Sequence, residues 1–260
     1  MKRLLTALAL IVFAVYLVFW APSPLFIGAA LAVGLLCYWE FSGLVAAHGI
    51  GRPGWVGVLI GTAIIFWPQQ IFWISSLLLA LALILLLRRE NLRAIVPEAG
   101  SLVLGAFYAF VPWRLAVDLR QHSVHLLFFA LALNWVGDSA AFYFGRQFGR
   151  HKLAPVISPG KSWEGALASV VASAVFGLLY LGNALSSLPL FVVIVMAVLG
   201  NIAGQLGDLV ESSIKRGAGL KDSGNLLPGH GGVLDRLDSS MFAIPVVYSL
   251  YIFSYSVIAR

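Results

Sequence analysis

The sequence predicts an all-α fold: a polytopic integral membrane helical bundle of about nine transmembrane helices, amino terminus in the cytoplasm and carboxyl terminus outside. Three observations carry this. Of the 260 residues, 60% are hydrophobic and only 11% charged, an apolar excess over ordinary soluble domains. Several apolar runs reach the roughly 20 residues that a helix needs to cross a bilayer. Finally, 14 of the 17 Lys and Arg residues fall on one side when the runs are threaded in alternation, and the positive-inside rule makes that side cytoplasmic.

The candidate spans are residues 4–20, 25–47, 54–70, 71–87, 101–117, 124–144, 163–182, 188–210 and 239–257. The first follows Lys2 and Arg3 as a secretory signal would. Val18, Phe19 and Trp20 occupy the place where a cleavage site needs small residues, so an uncleaved span is expected. Only Pro68-Gln69-Gln70 separates the third and fourth runs, which therefore form a tight hairpin or a re-entrant pair. Residues 1–120 are read as an N-terminal transmembrane region. Residues 121–260 are read as a C-terminal transmembrane catalytic region with cytoplasmic loops 145–162 and 213–238.

Composition also excludes some chemistry. The single cysteine, Cys37, cannot make an internal disulfide or a Cys-based zinc site. The net charge of +6 resides in short loops, where membrane orientation accounts for it and nucleic acid is not implied.

The most informative stretch is Ser213 to Asp238, SIKRGAGLKDSGNLLPGHGGVLDRLD. It concentrates Lys215, Arg216, Lys221, Arg236, Asp222, Asp235, Asp238 and His230 between two apolar runs. Charge gathered this way in a membrane protein points to chemistry at the membrane–water boundary. In the preceding span Asn201, Gln205, Asp208 and Glu211 or Ser212 recur every three or four residues, one polar stripe on an apolar helix. For Asn201 and Gln205, hydrogen bonding between helices is a sufficient explanation; a carboxylate at Asp208 demands a stronger one. Asp138, with Asn134 one turn earlier, lies near the cytoplasmic end of the sixth span.

Asp235 and Asp238 are three apart, which places both on one face if a helix opens there; capping of that helix is the plainer alternative. Pro228-Gly229-His230-Gly231-Gly232 is a turn at which backbone can approach a ligand, and its N–H groups could cradle an anion. Gly200-x-x-x-Gly204 reads as close helix packing, whereas Gly145-x-x-x-Gly149 reads as incidental to a loop. Carboxylates without a Cys or His cluster favour Mg2+ over zinc, and bases beside them suit phosphate oxygens. Together these are the parts of a phosphoryl- or nucleotidyl-transfer site.

These residues resemble the phosphatidate cytidylyltransferase (CDP-diacylglycerol synthase) family. The match runs through Ser213, Lys215-Arg216, Lys221-Asp222, Gly224, Leu227, Pro228-Gly229-His230-Gly231-Gly232, Asp235-Arg236 and Asp238. Upstream, Asp138 to Arg146 is similar to the family's D-x-x-A-x-x-x-G-R element. Ser158-Pro159-Gly160-Lys161-Ser162-Trp163-Glu164-Gly165 is similar to its S-P-K-K-T-W-E-G element, with Gly160 and Ser162 in place of Lys and Thr.

The resemblance implies an Mg2+-dependent nucleotidyltransferase that joins CTP and phosphatidic acid into CDP-diacylglycerol and pyrophosphate. It would work as a homodimer in a bacterial-type cytoplasmic (inner) membrane, with its active site facing the cytoplasm. Metal ligation carries over to Asp208 and Asp235. Lys215, Arg216, Lys221 and Arg236, beside Asp222, are expected to hold phosphate groups. Asp238 and Asp138 are expected to serve a second metal ion or to orient those bases, and His230 either contacts phosphate or caps the turn. Ser158, Lys161, Gly229, Gly231 and Gly232 are the expected substrate contacts. A transporter, a related transferase using CTP on another lipid or prenol phosphate, and a catalytically silent scaffold are the competing readings.

Overall fold

A computed structural model of the chain describes residues 2–86, 91–227, 229 and 231–258. Among these residues there are nine α-helices, one for each expected span: α1 (Lys2–Phe19), α2 (Ser23–Ala47), α3 (Trp55–Phe66), α4 (Ile71–Leu86), α5 (Ile95–His122), α6 (Val124–Phe148), α7 (Trp163–Ala184), α8 (Leu190–Gly217) and α9 (Leu234–Ile258). Six of them, α2 and α5 to α9, are long and apolar enough to cross a membrane, whereas α3 and α4 are shorter apolar helices. Large apolar side chains such as Phe72, Trp73, Leu77 and Phe191 stand exposed, as lipid-facing residues do and as a water-soluble surface of this extent rarely does. The chain is therefore a multi-pass membrane protein.

Two compact units divide the chain. One comprises residues 1–117 and 214–236, the other residues 118–213 and 237–260. The charged loop thus belongs to the same unit as the N-terminal helices.

In the first unit the core forms where glycines let aromatic rings approach the backbone. A side chain at Gly61 would lie 2.2 Å from the Phe110 ring, and one at Gly34 would lie 2.7 Å from it. Tyr38 packs against Phe110 with ring centroids 5.9 Å apart and donates its hydroxyl to the Gly54 carbonyl at 3.0 Å. Pro112 sits inside α5, which membrane helices tolerate better than soluble ones.

Helix ends follow local chemistry. α2 stops where Gly49 takes φ +77°. The end of α8 repeats that pattern, with Gly219 at φ +71° and the Leu220 N–H reaching back to the Lys215 carbonyl at 2.8 Å. Helix α8 therefore runs seven residues past the expected end of its span. Lys215 and Arg216 occupy its last turn rather than a loop, because nothing from Ser213 to Arg216 breaks a helix. Cations at that end also suit the helix dipole.

In the second unit α6 and α7 pack closely along their lengths. Gly177 admits Ala197 and Phe129, and Phe176 and Tyr180 stack at 5.4 Å. The 145–162 segment is more ordered than a plain loop. Helix α6 continues to Phe148, and β1 (Lys152–Ala154) then pairs antiparallel with β2 (Ser158–Ser162). Ser162 ends the hairpin and caps α7, accepting the Gly165 N–H at 3.2 Å. Gly145 and Gly149 are not incidental: a side chain at Gly149 would lie 2.6 Å from Ser162 Oγ and one at Gly145 3.2 Å from it. They let the end of α6 close on the hairpin.

Candidate active site

In the first unit the polar residues converge on the loop between α8 and α9. Lys215 Nζ lies 2.5 Å from Asp235 Oδ1, and the two side chains are only 10% and 5% exposed. The other oxygen, Oδ2, accepts the Ser223 N–H at 2.9 Å and the Gly232 N–H at 2.8 Å. Asp235 stands in the first turn of α9, but its bonds run back into the loop, so it is more than a helix cap.

The loop closes on itself through a bridge between Leu227 and Gly231. Gly229 and Gly231 adopt φ +76° and +79°, a conformation that glycine takes without steric cost. Arg216 donates to the Leu220 carbonyl at 3.2 Å. Lys221, Asp222 and Arg236 are exposed. His230, like Pro228, lies outside the described residues.

One member of this cluster was absent from the expected set. Glu40, from α2, is buried. Its Oε1 accepts the Val233 N–H at 2.9 Å. Its Oε2 accepts the Leu234 N–H at 2.8 Å and the Ser223 hydroxyl at 2.9 Å. A signal existed: Glu40 is the only charged residue in α2, and an ionisable group inside an apolar span is costly enough to need a partner.

In the second unit Lys161, on β2, reaches Asp208 Oδ2 at 2.6 Å, with the two side chains 26% and 34% exposed. Ser212 donates to Asp208 Oδ1 at 3.2 Å. Asp138, on α6, lies within electrostatic range of both Asp208 and Lys161. Asp238 is buried and accepts the Ser239 N–H at 2.7 Å. Its backbone carbonyl lies 2.6 Å from where a side chain at Gly207 would begin, so α9 meets α8 beside Asp208. Ser158 opens β2, opposite Ala154. His151 and Glu164 join the start of α7 to the hairpin, Nδ1 to Oε1 at 2.7 Å.

Asn201 and Gln205, earlier on the polar stripe of α8, are structural. Asn201 donates to Ser169 at 3.0 Å and to Ser173 at 2.9 Å, and Gln205 donates to Asn201 Oδ1 at 2.7 Å. Ser173 donates onward to the Leu133 carbonyl at 2.9 Å. These bonds tie α6, α7 and α8 together, as helix–helix contacts in lipid do. Asp208 stands apart from them with its lysine.

Among the described residues no three His, Cys, Asp or Glu side chains converge on one point as a metal cage. Magnesium does not require one, since it usually takes one or two carboxylates plus substrate phosphates. The oxygens of Asp208 and Asp235 are hard donors, and each already accommodates a cation, the ammonium of Lys161 or Lys215. The residues present fit such an ion.

Comparison with known proteins agrees with this chemistry. The profile of the Cytidylyltransferase family matches residues 1–254. A phosphatidate cytidylyltransferase of Bacillus subtilis is 33% identical across 96% of both chains. One from Staphylococcus haemolyticus is 34% identical, covering 96% of this chain and 98% of its own. Another, from Staphylococcus saprophyticus, is 36% identical over 77% of this chain and 79% of its own.

Proposed function

Since the chain belongs to the cytidylyltransferase family, we propose that it is a phosphatidate cytidylyltransferase, transferring CMP from CTP to phosphatidic acid with release of pyrophosphate. The observation that carries this is similarity along nearly the whole length to curated phosphatidate cytidylyltransferases. The paired acids and bases support it.

A phosphate oxygen of the lipid attacks the α-phosphorus of CTP. The bond to the β-phosphate oxygen breaks, and pyrophosphate leaves with that electron pair. A phosphomonoester has its second pKa at about 6, so the nucleophile is already ionised and needs no strong general base. Asp235 in the first unit and Asp208 in the second are each residues that would hold Mg2+, which when bound offsets triphosphate charge. Lys161 and Lys215, now paired with those carboxylates, have ammonium groups suited to phosphate oxygens. The exposed Lys221, Arg216 and Arg236 supply further positive charge for the lipid phosphate and the departing pyrophosphate.

The reading extends to nine membrane crossings, a cytoplasmic active site in a bacterial inner membrane, and a homodimer. The distribution of basic residues supports the first two. Size measurement of the purified protein in micelles tests the third.

The reaction is tested by pyrophosphate release from purified protein with CTP, Mg2+ and phosphatidic acid. ATP serves as the control nucleotide and a prenyl phosphate as the control acceptor. Release that requires both CTP and phosphatidic acid is expected. Release with the prenyl phosphate alone would move the protein to another acceptor class, and no release from folded protein would overturn the proposal.

A further inference from the structure

We propose that Glu40 is a positioning residue for cytidylyl transfer: from α2 it fixes the loop backbone that carries Asp235, without itself meeting substrate. This rests on the function proposed above for that loop. A lone carboxylate in an apolar helix is expensive unless its acceptor capacity is used. Here both oxygens are used, and all three donors named above come from a segment more than 180 residues downstream.

Two of these donors, the N–H groups of Val233 and Leu234, stand at the start of α9. The start of a helix favours an anion, because its first N–H groups lack partners within the helix. Glu40 is that anion. The Gly232 N–H goes to Asp235. Three successive amides that could otherwise have cradled a phosphate are therefore held by the protein's own carboxylates.

The two acids also share the loop. Ser223 gives its hydroxyl to Glu40 and its N–H to Asp235. Residues 232 and 233 are likewise divided between the two acids. Moving Glu40 thus shifts the donors that orient Asp235.

Steric evidence points the same way. A side chain at Gly224 would begin 2.8 Å from Glu40 Oε1, and one at Gly232 would begin 2.3 Å from Oε2. Neither glycine has a positive φ. Both are close-approach positions: Glu40 approaches Gly224, and Glu40 together with its partner Ser223 approaches Gly232.

The test uses full-length protein in lipid micelles, with Glu40→Gln and Ser223→Ala. A glutamine keeps one acceptor and turns an NH2 toward amide donors, so it cannot reproduce the carboxylate's three bonds. Hydrogen exchange, read by mass spectrometry on peptides covering 222–236, should accelerate in Glu40→Gln while peptides from α6 and α7 stay protected. Turnover should fall about 100-fold, as misplacement of about 1 Å can cause. The Mg2+ concentration giving half-maximal rate should rise, which a smaller folded fraction alone would not produce.

Ser223→Ala removes one of the three bonds to Glu40 and should show both effects in weaker form. It decides the matter if Glu40→Gln does not fold. Unchanged exchange in 222–236, or faster exchange with unaltered turnover and Mg2+ requirement, would overturn the proposal. If wild-type protein transfers no CMP, the assigned reaction fails, while the exchange comparison still decides whether Glu40 holds the loop.

Discussion

Breaking the Lys215–Asp235 pair gives the sharpest energetic test of the loop. The charged atoms are 2.5 Å apart and the side chains 10% and 5% exposed. At an effective dielectric of about 20, Coulomb's law gives a gross attraction of about 7 kcal/mol at that separation. Desolvation, several kcal/mol per ion, offsets most of it, so the net value of the intact pair is small. Removing one partner is different, because the other charge stays buried: about 3–5 kcal/mol should be lost. Lys215→Met and Asp235→Asn should each lower unfolding free energy by that amount in micelles. The double variant should recover part of the loss, a coupling of about 2–3 kcal/mol. Turnover should collapse in all three, since stability can be repaired without restoring the charges that handle phosphate. Single losses under about 1 kcal/mol that simply add would refute the reasoning, for that is how an exposed pair behaves.

Other perturbations separate the remaining contributions. Gly232→Ala places a methyl 2.2 Å from Ser223 Oγ and 2.3 Å from Glu40 Oε2. It should cost about 1–3 kcal/mol of stability, read by thermal unfolding, and most of the activity. Lys161→Ala removes a pair about a third exposed; it should cost under about 1 kcal/mol of stability but lower turnover at least tenfold in the pyrophosphate assay, as loss of one charge-assisted phosphate contact does. A tag placed after Arg260 should be reached by a membrane-impermeant reagent only from outside the cell. Labelling from the cytoplasmic side would mean an even number of crossings.

Much of the fold was legible because membrane helices announce themselves by length and apolarity. All nine expected runs coincide with helices among the described residues. Their ends were less legible. Apolarity stops at the membrane boundary and hydrogen bonding does not, so α8 carries Lys215 and Arg216 beyond its apolar run. The hairpin from Lys152 to Ser162 was missed, since two very short strands that include Pro159 and Gly160 carry no alternating pattern.

At the site, residue types were readable and partners were not. Asp208 stood out as a carboxylate on an apolar helix, but nothing local pairs it with Lys161, 47 positions earlier. Glu40 was overlooked for the same reason, because its donors come from the far end of the sequence. Gly232 was read as making room for a ligand, and in the structure the neighbours at that spot are Ser223 and Glu40.

The brevity of α3 has a consequence for the surrounding lipid. Its 12 residues extend about 18 Å at 1.5 Å per residue, against a hydrocarbon layer of about 30 Å. If it crosses, the bilayer must pinch beside it, at a fraction of a kcal/mol for each Å of mismatch. If it turns back, a dent remains in one leaflet where it ends. Either way, short or kinked acyl chains fit beside this helix better than long straight ones. The thickness of the host membrane thereby becomes a physical variable acting on the unit that carries the charged loop.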